Sequence, residues 1–294
     1  MTVNFVPLCL RVFVFCFIFA SCSRTAPHDG ILIAVSIPPQ AWFVSQIAGD
    51  KASTVILVPP GQNPHNYEPT PRQIQSLASA SAWILSGSEF EISLRPKIEA
   101  LFPDLLIVDG TYGVEFRYLE EACDDHDHDV HDHSYMVIDR HTWLGRMPAI
   151  ILANRINQTL YHLDPDNIDF YMERMVSTVQ NIHDVFEELK ITLTPLKGKS
   201  VFVYHPSFGY FLDEFGINQE AVETGGKEPT PRQLSLLVNR MRDEQPAAIF
   251  VQTQFPVNAA KTLAESVGAQ VIELDPLAYE WLDNIRYMGQ RILP

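Results

Sequence analysis

Glu68-Pro69-Thr70-Pro71-Arg72-Gln73 recurs residue for residue as Glu228-Pro229-Thr230-Pro231-Arg232-Gln233, 160 positions later. Six identities in a row are unlikely by chance, and their surroundings repeat as well. Thr before Pro is a sound helix start, with Thr as N-cap and Pro at the first helical position. Ile74, Leu77 and Ala78 follow the first hexamer at helical spacing, and Leu234, Leu237 and Val238 follow the second. Each helix then leads into an apolar run, Ala82 to Leu85 and Ala247 to Val251, that reads as a buried strand.

Working outward, the first half reads strand 31–36, helix 39–48, strand 54–58, helix 70–79, strand 82–86, helix 91–100 and strand 105–108. The second reads strand 200–204, helix 207–215, a short strand at 217–222, helix 230–243, strand 247–252, helix 257–267 and strand 270–274. Apolar strands alternating with helices imply parallel sheets covered on both faces. The expected fold is α/β: two similar lobes with mainly parallel four-stranded sheets. Between them, Asp164-Pro165 opens a helical pattern in which Ile168, Met172, Met175, Val179, Ile182, Phe186, Leu189 and Leu193 mark one face, and Pro195 ends it. Thirty such residues would span about 45 Å, a rigid strut across both lobes. The expected division is an export signal at 1–21, an N-terminal lobe at 22–163, a linking helix at 164–195 and a C-terminal lobe at 196–294.

Composition narrows the function. The 294 residues carry 21 Lys and Arg against 36 Asp and Glu, a net charge of −15. Such a chain is a poor partner for nucleic acid and suits cations. Arg11 precedes the apolar run Val12 to Ala20, the layout of a secretory signal. Phe19-Ala20-Ser21 before Cys22 resembles a bacterial lipobox, with Cys22 as the lipidated new N-terminus. Cys9 and Cys16 lie in the signal, so Cys123 stands alone in the mature chain and no internal disulfide is expected.

The ten histidines fall into groups. His28 lies near the mature N-terminus, His162 precedes the Asp-Pro cap, and His183 reads as a structural residue within the long helix. His126, His128, His131 and His133 crowd an acidic segment, 124–133, whose composition suits a solvated loop that collects metal weakly. His65, His141 and His205 each follow a strand, and so does Asp275. In open α/β sheets ligands bind beyond the carboxyl ends of strands. Three imidazoles and a carboxylate, two from each lobe, make a good tetrahedral site for Zn²⁺.

With those residues in view, the chain resembles the metal-binding substrate-binding proteins of bacterial ABC transporters, of the ZnuA/TroA type. The resemblance covers essentially the whole mature chain. It rests on Pro64-His65-Asn66-Tyr67-Glu68-Pro69-Thr70, Asp139 to Leu144, His205 to Phe211 and Leu274-Asp275-Pro276-Leu277. It implies two α/β lobes joined by one long helix, with His65, His141, His205 and Asp275 as ligands in the cleft between them. An acidic His-rich loop before the second ligand is typical of the zinc branch. Manganese-binding members often carry Glu where His205 stands. Arg140 departs from the usual Pro, and Gly145-Arg146 from a frequent Ser-Pro. The resemblance further implies an extracytoplasmic monomer, lipid-anchored at the membrane, that carries Zn²⁺ (or Mn²⁺ or Fe²⁺) to an ABC permease with its ATPase. A zinc hydrolase is the competing enzyme class. Asp275 in the fourth position argues against it, and the chain lacks His-Glu-x-x-His and Gly-x-Ser-x-Gly. For a third class, a surface adhesin, no host-binding surface is legible.

Overall fold

The computed structural model describes residues 30–119, 137–223, 230–255 and 257–293. The export signal with Cys22, His28, Cys123, the segment with His126, His128, His131 and His133, and Glu228-Pro229 lie outside them.

The N-terminal sheet holds β1 (Ile31–Val35), β2 (Ala52–Ile56), β3 (Ala82–Leu85) and β4 (Leu106–Asp109) in the order β2-β1-β3-β4. Helices α1 (Pro38–Ala48), α2 (Pro71–Leu77) and α3 (Glu89–Leu101) make the crossovers. Next come a two-stranded antiparallel ribbon, β5 (Tyr118–Leu119) and β6 (Val137–Ile138), and two long helices, α4 (Arg146–Leu163) and α5 (Ile168–Thr192). The C-terminal lobe contains β7 (Ser200–Val203), α6 (Gly209–Asp213), β8 (Asn218–Ala221), α7 (Pro231–Glu244), β9 (Ala248–Gln252), α8 (Val257–Val267), β10 (Gln270–Leu274) and α9 (Trp281–Arg291). Its sheet runs β10-β9-β7-β8, the same connectivity as the first, and every pairing in both sheets is parallel. The repeated hexamer opens α2 and α7, which hold equivalent places in the two lobes.

The identity extends to atomic detail. Gln73 accepts from the Thr70 amide at 2.8 Å and hydroxyl at 2.9 Å, and Gln233 accepts from Thr230 at the same two distances. Each Thr hydroxyl in turn caps the Gln amide, which makes a reciprocal capping box. In the first lobe the box also ties down the loop after β2, because Gln73 Nε2 donates to the Leu57 carbonyl at 2.5 Å.

The core explains why both sheets read as apolar on two faces. Along β7, Val201 and Val203 face one cluster, which runs on through α1, α4, α5 and α9 into the N-terminal sheet. Phe202 faces a second cluster with Met241, Ile249, Val251 and Leu263, under α7 and α8. The linking segment differs from its expected form. The α-helix spans 25 residues, 168–192, between 3-10 turns at 165–167 and 194–196. Asp164 caps no α5 amide; its carboxylate accepts from Asn167 Nδ2 and, at 2.6 Å, from the Tyr171 hydroxyl. The buried face holds Met175, Ile182, Phe186 and Leu189 as read, but at its start Tyr171 is inside while Ile168 and Met172 are exposed. Two helices left unassigned by the sequence reading complete the frame. Helix α4 buries Leu152, Ala153, Ile156 and Leu160 against α1 and α5. Helix α9 lies on α5 so closely that a Cβ at Gly289 would enter Leu189. Its Trp281 contacts Trp42 and Phe43 of the other lobe.

Candidate metal centre

His65 lies in the loop after β2, where its amide donates to Asn63 Oδ1 at 3.0 Å. His205 directly follows β7; Gln252, at the end of β9, accepts from its amide and donates to its carbonyl. His141 follows β6, a strand of the ribbon rather than of the main sheet, and heads the 3-10 turn 142–144. The three converge on one point. Their ligand atoms all lie within 4.8 Å of one another, the one such cluster of three or more His, Cys, Asp or Glu among the described residues. His205 Nε2 stands 2.9 Å from His65 Nε2 and 3.3 Å from His141 Nε2. His141 and His205 are buried, and the His205 ring stacks on Phe255 at 4.5 Å.

The opposite nitrogen of each ring meets a carboxylate. Nδ1 of His65 lies 2.9 Å from Glu89, that of His141 2.8 Å from Asp139, and that of His205 3.0 Å from Glu223. A carboxylate is acceptor-only, so each Nδ1 carries the proton and each Nε2 presents a lone pair. Three lone pairs then face one another, which neutral hydrogen bonding cannot satisfy and a shared cation can. Zn–N bonds of tetrahedral geometry require N···N separations of about 3.3 Å, close to what is seen. Carboxylates behind the histidines fix the tautomer and raise ligand basicity.

Electrostatics agree. Burial, with the fields of His141 and His65, lowers His205 to a pKa of about 4 against the pull of Glu223, so its ring is neutral near pH 7. Burial alone would raise Asp139 and Glu89, but hydrogen bonds from His141 and His65 hold both below the usual carboxylate range. Asp139 is further tied across the cleft. Arg117 Nη1 binds its Oδ2 at 3.1 Å, Arg117 Nε binds Asp213 of α6 at 2.7 Å, and the Tyr210 hydroxyl donates to the Asp139 carbonyl. Gly209 makes room for this, since a Cβ there would strike the Arg117 guanidinium.

Asp275 is not in the trio. Its Oδ1 accepts from Gln254 Nε2 at 2.7 Å and from the Leu277 amide at 2.9 Å. Its neighbours Pro276 and Leu277 nonetheless line the small cavity, of about 10 Å³, that His65, His141 and His205 also line. Glu89, Asp139 and Glu223 have no role in the sequence reading. Asp139 carried a signal, sitting two residues before His141. Glu89 and Glu223 follow β3 and β8, so placement after a strand was their only mark. At the two departures, Arg140 pairs with Glu89, and Arg146 bridges Glu187 and Glu214 while Gly145 lies against Tyr210.

Two equivalent α/β lobes on a helical frame, with three histidines converging between them, define the class of two-lobed α/β proteins to which this chain belongs. The chain belongs to the family described as zinc-uptake complex component A, periplasmic, which matches residues 33–292. It is 25% identical over 270 residues to the zinc-binding lipoprotein AdcA of Streptococcus pneumoniae, covering 87% of this chain. It spans about half of that relative, 52% of its length. It is also 25% identical over 259 residues to the high-affinity zinc uptake system protein ZnuA of Bacillus subtilis, covering 87% of this chain and 81% of the relative. A crystal structure of ZnuA superposes with a TM-score of 0.81 at 32% identity, over 90% of this chain and 98% of that one.

Proposed function

We propose that the protein is an extracytoplasmic receptor that captures Zn²⁺ as cargo and hands it to an ABC permease powered by an ATPase. The observation that carries this reading is the convergence of three Nε2 atoms, each backed by a carboxylate on Nδ1. That is the layout of a site built to hold a cation by nitrogen. His65, His141 and His205 are the proposed ligands, and Asp275 the fourth, through the oxygen that Gln254 and Leu277 leave to it. A fourth protein ligand closes the site and leaves no place for the water a zinc hydrolase needs. Nitrogen donors favour Zn²⁺ over Mn²⁺ and Fe²⁺, which remain the alternative cargo of the same site. The lipidated Cys22, the monomeric state, the division at 163/164 and 195/196, and weak metal collection by His126, His128, His131 and His133 belong to the same proposal. No helix among the described residues is long and apolar enough to cross a membrane.

Cells that lack this protein should accumulate less radiolabelled zinc from dilute medium. The wild-type gene should restore uptake and His205→Ala should not. Full restoration by His205→Ala would overturn the reading.

A further inference from the structure

Of the three histidines, His65 is the one at the rim. Its side chain is 28% exposed, against 6% for His141 and 6% for His205. Its carboxylate partner is shared. Glu89 Oε2 meets His65 Nδ1 at 2.9 Å, while Oε1 lies 3.5 Å from Arg140 Nε. The guanidinium is itself held, because Arg140 Nη1 donates to the Gly87 carbonyl at 2.9 Å. Arg140 therefore reaches from the loop after β6 to the turn between β3 and α3. The turn is rigid: buried Glu91 accepts from the amides of Ser86 and Gly87 and from the Ser86 hydroxyl, at 2.7 to 2.8 Å.

We propose that Arg140 is a positioning residue that sets how readily the cargo leaves. It faces the Glu89 oxygen turned away from His65 and offsets the carboxylate's negative charge at the mouth of the site. This rests on the three-histidine cargo site proposed above.

Charge explains why such a residue is useful. Glu89, Asp139 and Glu223 place three carboxylates around one divalent cation, each one imidazole away. So negative a shell holds a dication firmly, yet a receptor must give up its cargo. Arg117 faces Asp139, but Asp213 takes part of its charge. Arg140 faces Glu89 and is anchored by the Gly87 carbonyl, which places its charge at the mouth of the site. A guanidinium separated from a dication by one carboxylate and one ring, partly screened by water, repels it by an amount worth about a three- to tenfold change in affinity. The effect falls at the rim ligand, the one solvent reaches first on release.

The test is stopped-flow transfer of Zn²⁺ from the loaded mature protein to a fluorescent chelator, with Kd from competition. Wild type is compared with Arg140→Gln, Arg140→Met and Arg140→Lys. Both neutral variants should bind zinc about three- to tenfold more tightly, chiefly through slower release, and Arg140→Lys should stay near wild type. The difference should shrink at high salt, which a purely structural brace would not produce. Neutral variants that fold but bind as wild type, or more weakly, would overturn the role of Arg140 alone. Wild type with no tight zinc equivalent would overturn the site itself.

Discussion

At His205, burial works against the proton. Its folded pKa of about 4 lies below the ordinary value of 6.5, so between those pH values the unfolded chain binds a proton that the folded chain refuses. Stability of the metal-free protein therefore falls as pH drops from 6.5 towards 4, with this residue contributing up to about 3 kcal/mol. Urea midpoints of metal-free wild type should decline over that window. His205→Gln, which cannot titrate, should decline less. Equal slopes in the two proteins would show that His205 is not held neutral. The same burial leaves protons as weak competitors near neutral pH for a cation at this Nε2, as the proposed function requires.

Among the elements, the two capping boxes are the clearest link from sequence to structure. Each satisfies helix-end amides with side chains supplied by the hexamer itself. Thr230→Ala should destabilise the protein by about 1 kcal/mol, read as a lower urea midpoint at unchanged slope. An unchanged midpoint would mean that water caps α7 equally well. All fourteen sheet strands and crossover helices were legible from periodicity and punctuation, because both sheets are covered and their strands are continuously apolar. Helix α4 was not legible: its N-cap is Gly145, which offers no capping side chain, and it follows a segment of irregular composition. The phase of α5 was misread at its start because apolarity favours Met172 over Tyr171. The fold buries the ring of Tyr171 and gives its hydroxyl to Asp164. The three converging histidines were visible by their place after strands. Two of their three carboxylates were not, since Glu89 is 24 residues from His65 and Glu223 is 18 from His205. Nothing local marks such a pair; only the shared topology of the two lobes brings each together.

For the whole molecule, the large core cluster crosses from one lobe to the other through α1, α5 and α9. Hydrogen bonds reinforce that crossing. Trp143 Nε1 donates to the Pro276 carbonyl at 2.8 Å, and Trp281 Nε1 to the Trp143 carbonyl at 2.7 Å. The floor of the cleft is thus held by contacts from both lobes, and the proposed tight site draws its three histidines from the loops around it. Deleting residues 124–133 should accordingly leave one tight zinc equivalent intact and remove only weak additional ones, counted by equilibrium dialysis. Loss of the tight equivalent would show that the acidic His-rich segment supplies a ligand. The central claim is that His65, His141 and His205 together hold one zinc ion. Calorimetric titration of the metal-free protein from Ser23 onward, with Zn²⁺ and then Mn²⁺, beside His65→Ala, tests it most directly. The expected result is one tight Zn²⁺ equivalent, weaker Mn²⁺ binding, and loss of the tight equivalent in the variant; tight Zn²⁺ binding that survives His65→Ala, or a preference for Mn²⁺, would contradict it.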